Sequence, residues 1–168
     1  MADDAASIDT TAPGRLSKGD AVPDFDLPAS LGRRVRLVGL LGKPFVLYFY
    51  PKADTSGCTQ EARGFQEVLD AAGKGVVPVI GISKDPLPAL DAFARKHDLR
   101  FPLANDEAGT LIEAFGVWIE KSMYGRTYMG IDRSTFLIDA DGRVAQLWHK
   151  VRVPGHVAEV MHAAAALG

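Results

Sequence analysis

The segment that constrains the fold most is the apolar run KPFVLYFY at residues 43–50. Its aromatic and β-branched side chains follow one another without polar alternation, which is typical of a strand buried on both faces of a sheet. Pro51 ends the run, because proline has no backbone N–H to donate to a strand ladder. The sequence therefore predicts a central strand here, and such a strand needs helices on both faces of its sheet.

Segments with strand-like and helical patterns alternate around this run. PDFDLPA and RRVRLVGLL precede it and predict two short strands, joined by the turn residues Ser30 to Gly32. Residues 59–73 switch to helical spacing, and Gly73 and Gly75 are expected to end that helix. Its apolar face is formed by Ala62, Phe65, Val68, Leu69 and Ala72.

A second strand and helix follow. VVPVIGIS predicts another buried strand. Asp85 is expected to be the N-cap of the next helix, with Pro86 at its first position. That helix buries Leu87, Leu90, Phe93 and Ala94, and Arg95, Lys96 and His97 favour its C-terminal end.

The remaining segments complete an α/β pattern. FPLAND predicts a short strand, AGTLIEAFGV a short helix, and residues 118–132 a longer irregular connection. RSTFLIDADGRVAQLWH predicts a hairpin that turns at Asp141-Gly142, and Pro154 opens a last helix. The order β-α-β-α-β-β-α from residue 45 is what a thioredoxin-like fold requires: a central mixed sheet flanked by helices, here with an N-terminal β extension.

Length and charge narrow the class of protein. The chain has 168 residues, which favours one domain, and a net charge of −2, which predicts binding to neither nucleic acid nor a membrane surface. Residues 1–17 are expected to be a solvated tail without the pattern of a secretory signal, and residues 18–168 the domain. No stretch approaches the roughly 20 apolar residues of a membrane helix. Together with a single cysteine, these features favour a reducing cytoplasm.

The single cysteine lies in an unusual place. A chain with one cysteine can form neither an internal disulfide nor a CxxC site. After the central strand and its turn, the helix is expected to begin near Ser56 to Thr59. Cys58 would then lie in its first turn, where free backbone N–H groups and the helix dipole favour a thiolate. Since the thiolate is the nucleophile, this position predicts a reactive sulfur. A buried, inert cysteine capped by Thr55 remains the alternative.

The neighbours of Cys58 support the reactive interpretation. The Thr55 hydroxyl can donate to a substrate oxygen or accept from a backbone N–H, and Pro51 can shield the sulfur from water. Glu61 lies three residues after Cys58, one helical turn on, where it could hold an arginine that also faces the thiolate.

With these residues in view, the chain resembles the peroxiredoxins. FYPKADTSGCT carries the pattern Pro-x-x-x-Thr-x-x-Cys of their active-site segment, and RSTFLID lies at the matching distance. From about residue 18 onward the sequence is most similar to the Q-type members, also called bacterioferritin comigratory proteins. Further matching segments are GDAVPDFDLP, GISKD and FGVWIEKSMYGRTYMGI.

The resemblance implies a role for each matching residue. Cys58 corresponds to the peroxidatic cysteine, which attacks a hydroperoxide and becomes a sulfenic acid. Arg133 corresponds to the arginine that stabilises the thiolate and orients the peroxide. Thr55 corresponds to the residue that binds peroxide oxygen, Pro51 to the shielding proline, and Glu61 to the carboxylate that positions the arginine. The resemblance implies no cofactor.

The sequence departs from the family at the second cysteine. Many Q-type members carry it five residues after the first, where this chain has Arg63, and others carry it in the next helix, which has none here. The chain therefore resembles a one-cysteine member whose sulfenic acid needs an external thiol. A small thiol, a glutaredoxin- or thioredoxin-type protein, or Cys58 of another chain could supply it. Q-type relatives are often monomers, and a dimer stays open.

Other signals carry less weight. His97, His149, His156 and His162 lack metal-ligand spacing and are interpreted as surface or packing histidines, so no metal site is predicted. Trp118, Tyr124 and Tyr128 could line a substrate mouth, although a role in covering the sheet is favoured.

Two other functions remain as alternatives. A thioredoxin-like thiol-disulfide oxidoreductase would need a second nearby thiol. A chaperone or binding protein on the same fold would not need Pro51, Thr55, Cys58 and Arg133 together.

Overall fold

The computed structural model describes residues 15–72 and 77–167, and its centre is the predicted strand. Phe45–Phe49 (β3) is buried throughout, and its side chains alternate between two apolar clusters, one on each face of the sheet. Phe45, Leu47 and Phe49 join one cluster, while Val46 and Tyr48 join the other. This alternation explains why the run contains no polar residue.

The main sheet has seven strands. In chain order they are Asp26–Ala29 (β1), Arg33–Arg36 (β2), β3, Val79–Ser83 (β4), Leu103–Asn105 (β5), Ser134–Ile138 (β8) and Val144–Trp148 (β9). They lie in the order β9-β8-β3-β4-β5-β1-β2, with β3, β4 and β5 parallel and the other pairs antiparallel. The sheet is therefore mixed, and the two N-terminal strands extend it beyond β5.

Helices cover both faces. The longer helices Ser56–Ala72 (α2), Leu87–His97 (α3) and His156–Leu167 (α5) contribute buried side chains to the cluster that contains Val46 and Tyr48. The short helices Leu37–Leu40 (α1) and Thr110–Ala114 (α4) contribute to the opposite cluster. No helix in the described part of the chain is long and apolar enough to cross a membrane.

Several predictions of local structure need correction. Residues 37–40 form a helical turn and not the end of a strand, because β2 ends at Arg36. The N-cap position of α3 is held by Pro86 and not by Asp85. The predicted helix end at residues 73 and 75, and residues 1–14 of the predicted tail, lie outside the described residues.

The prediction of an irregular connection at residues 118–132 is wrong. Trp118–Met123 (β6) and Arg126–Ile131 (β7) form a regular two-stranded hairpin. Tyr124 and Gly125 form its two-residue turn, with positive φ angles of 53° and 77°. Because most side chains of the hairpin are exposed or only half-buried, its sequence lacks the alternation that identifies a half-buried strand.

The three aromatic residues of this hairpin have different surroundings. Trp118 packs against the core, as the covering interpretation requires. Tyr124 is 97% exposed at the turn and covers nothing. Tyr128 and Trp118 both line a cavity of about 390 Å³, whose walls also include Pro51 and Lys121.

Candidate active site

The pairing of β3 with β8 brings the two halves of the site together. Phe49 is opposite Ser134 in this antiparallel pair. The turn that follows β3 therefore lies beside Arg133, which directly precedes β8. Residues 75 positions apart in the sequence meet at this point, as the contact between Cys58 and Arg133 shows.

Cys58 lies in the first turn of α2. The Thr59 N–H donates to the Thr55 carbonyl at 2.8 Å, which closes the turn around the cysteine. The Cys58 side chain is only 1% exposed, yet it faces Arg133 and not an apolar pocket alone. The position agrees with the sequence interpretation, in which the helix N-terminus and a cation act on the same sulfur.

Arg133 bridges the sulfur and a buried carboxylate. Its Nη2–H donates to Cys58 Sγ at 3.3 Å, and its Nη1–H donates to Glu61 Oε1 at 2.8 Å. Burial opposes the charge of this guanidinium, but Cys58 and Glu61 together raise the pKa of Arg133 above its usual value. The arginine is therefore a fixed cation aimed at the sulfur.

Gly57 makes this approach possible. A Cβ atom at residue 57 would lie 3.1 Å from Arg133 Nη2, closer than most such contacts in proteins. Any other residue would press on the guanidinium that contacts Cys58. The sequence analysis did not identify Gly57, because a glycine before a cysteine carries no such signal until the arginine is placed.

The side chain of Glu61 is fully buried, and this changes its pKa. Burial raises the pKa of Glu61 to about 7, although the Arg133 guanidinium acts in the opposite direction. Within the described residues its second oxygen, Oε2, has no hydrogen-bond partner. The carboxylate is therefore held by a single strong contact, the one to Arg133.

Thr55 and Pro51 lie at the surface of the same turn. The Thr55 hydroxyl donates to the Lys52 carbonyl at 2.8 Å and is exposed. Pro51 is exposed as well, and it forms one wall of the cavity beneath the hairpin. The structure thus joins Cys58, Glu61 and Arg133 by direct contacts, while Thr55 and Pro51 frame the turn that carries the sulfur.

Two aspartates that the sequence analysis did not assign to the site anchor this turn. Asp85 Oδ2 accepts from the Ala53 N–H at 2.8 Å and from the Ser83 hydroxyl at 2.8 Å. Asp54 has a positive φ of 63°, and its carboxylate accepts from Lys96 at 2.9 Å and contacts His97 at 3.0 Å. The turn is thereby tied to the end of β4 and to the C-terminus of α3.

Arg63, which occupies the position of the second cysteine of many Q-type members, has a structural role in this chain. Arg63 extends from α2 and donates to the His97 carbonyl at 2.9 Å. Its guanidinium therefore satisfies a carbonyl at the C-terminal end of α3, near the Asp54 anchor. An arginine here links two helices without any thiol chemistry.

The histidines have individual hydrogen-bond partners. His97 contacts Asp54, His149 contacts Arg15 and Ser134, and His156 contacts Thr135. His162 is exposed. In the part of the chain that the structure describes, no three metal-ligating side chains lie close enough together to hold an ion.

Comparison with known proteins identifies the family. The model of the AhpC/TSA family matches residues 18–147. The chain belongs to the AhpC/TSA family. This match covers β1 to most of β9 and includes Cys58, Glu61 and Arg133.

One curated relative and two solved structures are especially informative. Peroxiredoxin Bcp of Escherichia coli is 44% identical over 141 residues, which cover 84% of this chain and 90% of that protein. Peroxiredoxin Q of Xanthomonas campestris superposes with a TM-score of 0.81 at 40% identity, covering 90% and 96% of the two chains. The bacterioferritin comigratory protein of the same organism, studied for alkyl peroxide reduction, gives 0.81 at 39% identity and the same coverage.

These comparisons confirm the predicted class and fold. The chain is a peroxiredoxin of the bacterioferritin comigratory type, and thus a thiol-dependent peroxidase. Its thioredoxin-like α/β fold is that of the solved peroxiredoxins.

Proposed function

We propose that this peroxiredoxin reduces hydrogen peroxide and organic hydroperoxides at Cys58, and that an external thiol restores the enzyme. The observation that carries the proposal is the position of Arg133, whose guanidinium contacts both the Cys58 sulfur and Glu61. A cation held in this way stabilises the thiolate before the reaction and the negative charge that moves onto oxygen during it. The alkyl peroxide activity studied in the Xanthomonas campestris relative supports organic substrates.

The proposed reaction begins with the Cys58 thiolate. The sulfur attacks the terminal oxygen of the hydroperoxide, and the oxygen–oxygen bond breaks with its electron pair moving to the leaving alkoxide or hydroxide. A proton from solvent completes the alcohol or water, and Cys58 becomes a sulfenic acid. Arg133 and the free N–H groups of the first turn of α2 are placed to stabilise the developing charge.

Thr55 and Pro51 complete the proposed site. The Thr55 hydroxyl donates to the Lys52 carbonyl, and its oxygen lone pairs remain available to accept from the hydroperoxide O–H. Pro51 lies on the strand side of the turn and limits the approach of water to the sulfur. Because Cys58, Glu61 and Arg133 come from one chain, a monomer can carry the complete site.

The return step needs a second molecule. The sequence contains one cysteine, so no internal disulfide can form. A first external thiol condenses with the sulfenic acid to give a mixed disulfide and water, and a second releases the Cys58 thiol as the external disulfide leaves. We propose a small thiol or a glutaredoxin- or thioredoxin-type protein in a reducing cytoplasm as the source. An intramolecular disulfide oxidoreductase would lack its second thiol, and a chaperone would not need the Arg133 contact.

The stoichiometry of the first step tests this proposal. Reduced protein treated with one equivalent of hydrogen peroxide, without reductant, should lose one thiol per chain. The product should react with the yellow thionitrobenzoate anion to give one mixed disulfide at Cys58, located by mass spectrometry. A Cys58→Ser variant should bind none. Wild-type protein that keeps its thiol and binds no thionitrobenzoate would overturn the proposal.

Resolution by a bulky thiol should also loosen the start of α2. Cys58 is buried, so its oxidised sulfur must leave the contact with Arg133 to meet a second sulfur. We expect the amides of residues 56–65 to exchange hydrogen faster in glutathionylated protein than in reduced protein, while β3 keeps its protection. Exchange that is the same in both forms would contradict this local opening.

A further inference from the structure

The residues on either side of Arg133, just before β8, also make side-chain hydrogen bonds, on the face of the segment opposite Cys58. Successive residues of an extended segment point to opposite faces, so Asp132 and Ser134 point away from the side on which Arg133 meets Cys58. Both are buried, with Asp132 only 3% exposed. The catalytic assignment of Arg133 leaves these two polar side chains without an explanation.

A connected set of hydrogen bonds joins them to two basic residues. Arg15 Nη2–H donates to Asp132 Oδ2 at 3.0 Å, and Arg15 Nε–H donates to His149 Nε2 at 3.2 Å. His149 Nδ1 and the Ser134 hydroxyl are 2.9 Å apart. The Ser134 hydroxyl also lies 2.9 Å from the Asp132 carbonyl. Arg15, Asp132, Ser134 and His149 are therefore joined by hydrogen bonds around the two residues that flank Arg133.

The donors in this set can be assigned without ambiguity. A carbonyl only accepts, so the single hydroxyl hydrogen of Ser134 goes to the Asp132 carbonyl. His149 Nδ1 must then carry a hydrogen and donate it to Ser134, which leaves Nε2 as the acceptor for Arg15. Burial, reinforced by Arg15, lowers the pKa of His149, while Asp132 acts in the opposite direction. The neutral imidazole is the form that this arrangement needs.

Arg15 is held in place by the fold. Gly116 has a positive φ of 74°, and a Cβ atom there would lie 2.5 Å from Arg15 Cα. Only glycine leaves room for this close approach of the two backbones. Leu16 packs against the core next to it, and the Gly19 N–H donates to the Val144 carbonyl at 2.8 Å. The backbone of the N-terminal segment is thus held by contacts that do not depend on the bond between the Arg15 guanidinium and Asp132.

We infer that Arg15 and His149 are positioning residues for Arg133, an inference that rests on the proposed function. Arg133 precedes β8, and its own backbone is held by the Val151 N–H, which donates to its carbonyl at 3.0 Å. On one side of Arg133, the Asp132 carboxylate is held by Arg15 and by the Lys150 N–H, which donates to Oδ1 at 3.1 Å. On the other side, the Ser134 hydroxyl is held by His149. A guanidinium must be placed within a fraction of an ångström to act on a sulfur and a peroxide. These hydrogen bonds therefore fix the position of the Arg133 guanidinium relative to Cys58.

Paired arginine variants test this inference. Arg15→Ala removes the hydrogen bonds that Arg15 donates to His149 and to Asp132. Arg143→Ala is the matched control, because Arg143 also holds the N-terminal segment, through the Gly19 carbonyl at 3.1 Å, but does not touch Asp132. We expect Arg15→Ala to slow the reaction of Cys58 with hydrogen peroxide about tenfold, and Arg143→Ala to leave the rate within about twofold.

A double-mutant cycle separates positioning from general stability. If Arg15 acts through Arg133, its removal should change the peroxide rate of an Arg133→Lys protein by less than about twofold. Equal tenfold losses in both backgrounds would overturn the inference, and so would a wild-type rate in the Arg15→Ala protein.

Two further measurements keep the test decisive. If Arg15→Ala does not fold, Arg15→Lys replaces it, since lysine keeps a cation for Asp132 but cannot keep the paired geometry toward His149. A wild-type peroxide rate in that variant would overturn the inference. The rate of Cys58 alkylation by iodoacetamide at neutral pH needs no peroxide, so it distinguishes failure of this inference from failure of the proposed function. This rate should fall in the Arg15 variant, because the contact between Arg133 and the Cys58 sulfur is weakened, and stay constant in Arg143→Ala. A rate that is unchanged in both variants would overturn the inference.

Discussion

Replacement of Arg133 by alanine should lower the rate constant for the reaction of Cys58 with hydrogen peroxide by about 10²–10³-fold at neutral pH. The variant loses the donor that lies 3.3 Å from the Cys58 sulfur. It also loses the preorganised cation that faces the charge developing on oxygen, and water cannot supply an equally fixed donor at a buried sulfur. Stopped-flow measurement of thiol loss under pseudo-first-order conditions gives the rate constant directly.

Arg126→Ala is the control for this variant. Arg126 lies exposed at the start of β7, so its removal changes the net charge equally without touching the site. We expect its rate constant to stay within about twofold of wild type, as for most surface substitutions. A similar loss in both variants would show that net charge and not the Arg133 contact controls the reaction.

The second large effect is a pH-dependent loss of stability caused by Glu61. The pKa of Glu61 is raised from 4.5 to about 7 by burial. The folded protein therefore binds a proton more tightly at Glu61 than the unfolded chain does. The stability that this proton contributes is present below pH 4.5 and is lost as the pH rises through about 7. The full difference corresponds to roughly 3 kcal/mol.

Glu61→Gln isolates this contribution. Glutamine keeps an oxygen that can accept from Arg133, but it cannot ionise. Urea unfolding of both proteins between pH 4 and 8 should show that the wild type loses free energy of unfolding relative to Glu61→Gln as the pH rises. A difference between the two proteins that stays constant with pH would show that Glu61 titrates normally in the folded state.

Much of the site could be predicted from the sequence because its signals are local. β3 ends at Phe49, the turn that contains Pro51 follows, and α2 begins at Ser56, so Cys58 lies in the first turn of a helix. Glu61 lies one turn later on the same helix, where its side chain is buried. Arg133 carries no local signal, and only the family resemblance assigned it, after which the register of Phe49 with Ser134 brought it to Cys58.

The anchors of the site could not be predicted in this way. Asp85 has the residue type and position of a helix N-cap, yet its carboxylate serves the Ala53 N–H across the turn. Arg15 lies in a polar segment that favours a solvated tail, but the space left by Gly116 seats it against the fold. In each case a tertiary contact between distant segments overrides the local preference, and no local sequence pattern indicates that contact.

The rate constant for one equivalent of hydrogen peroxide with reduced wild-type protein near pH 7 tests the central claim most directly. Stopped-flow thiol loss should give a value several orders of magnitude above that of free cysteine measured in the same buffer, and Cys58→Ser should show no reaction. A value no greater than that of free cysteine would contradict the claim that Arg133 and the start of α2 make Cys58 a peroxidatic thiol.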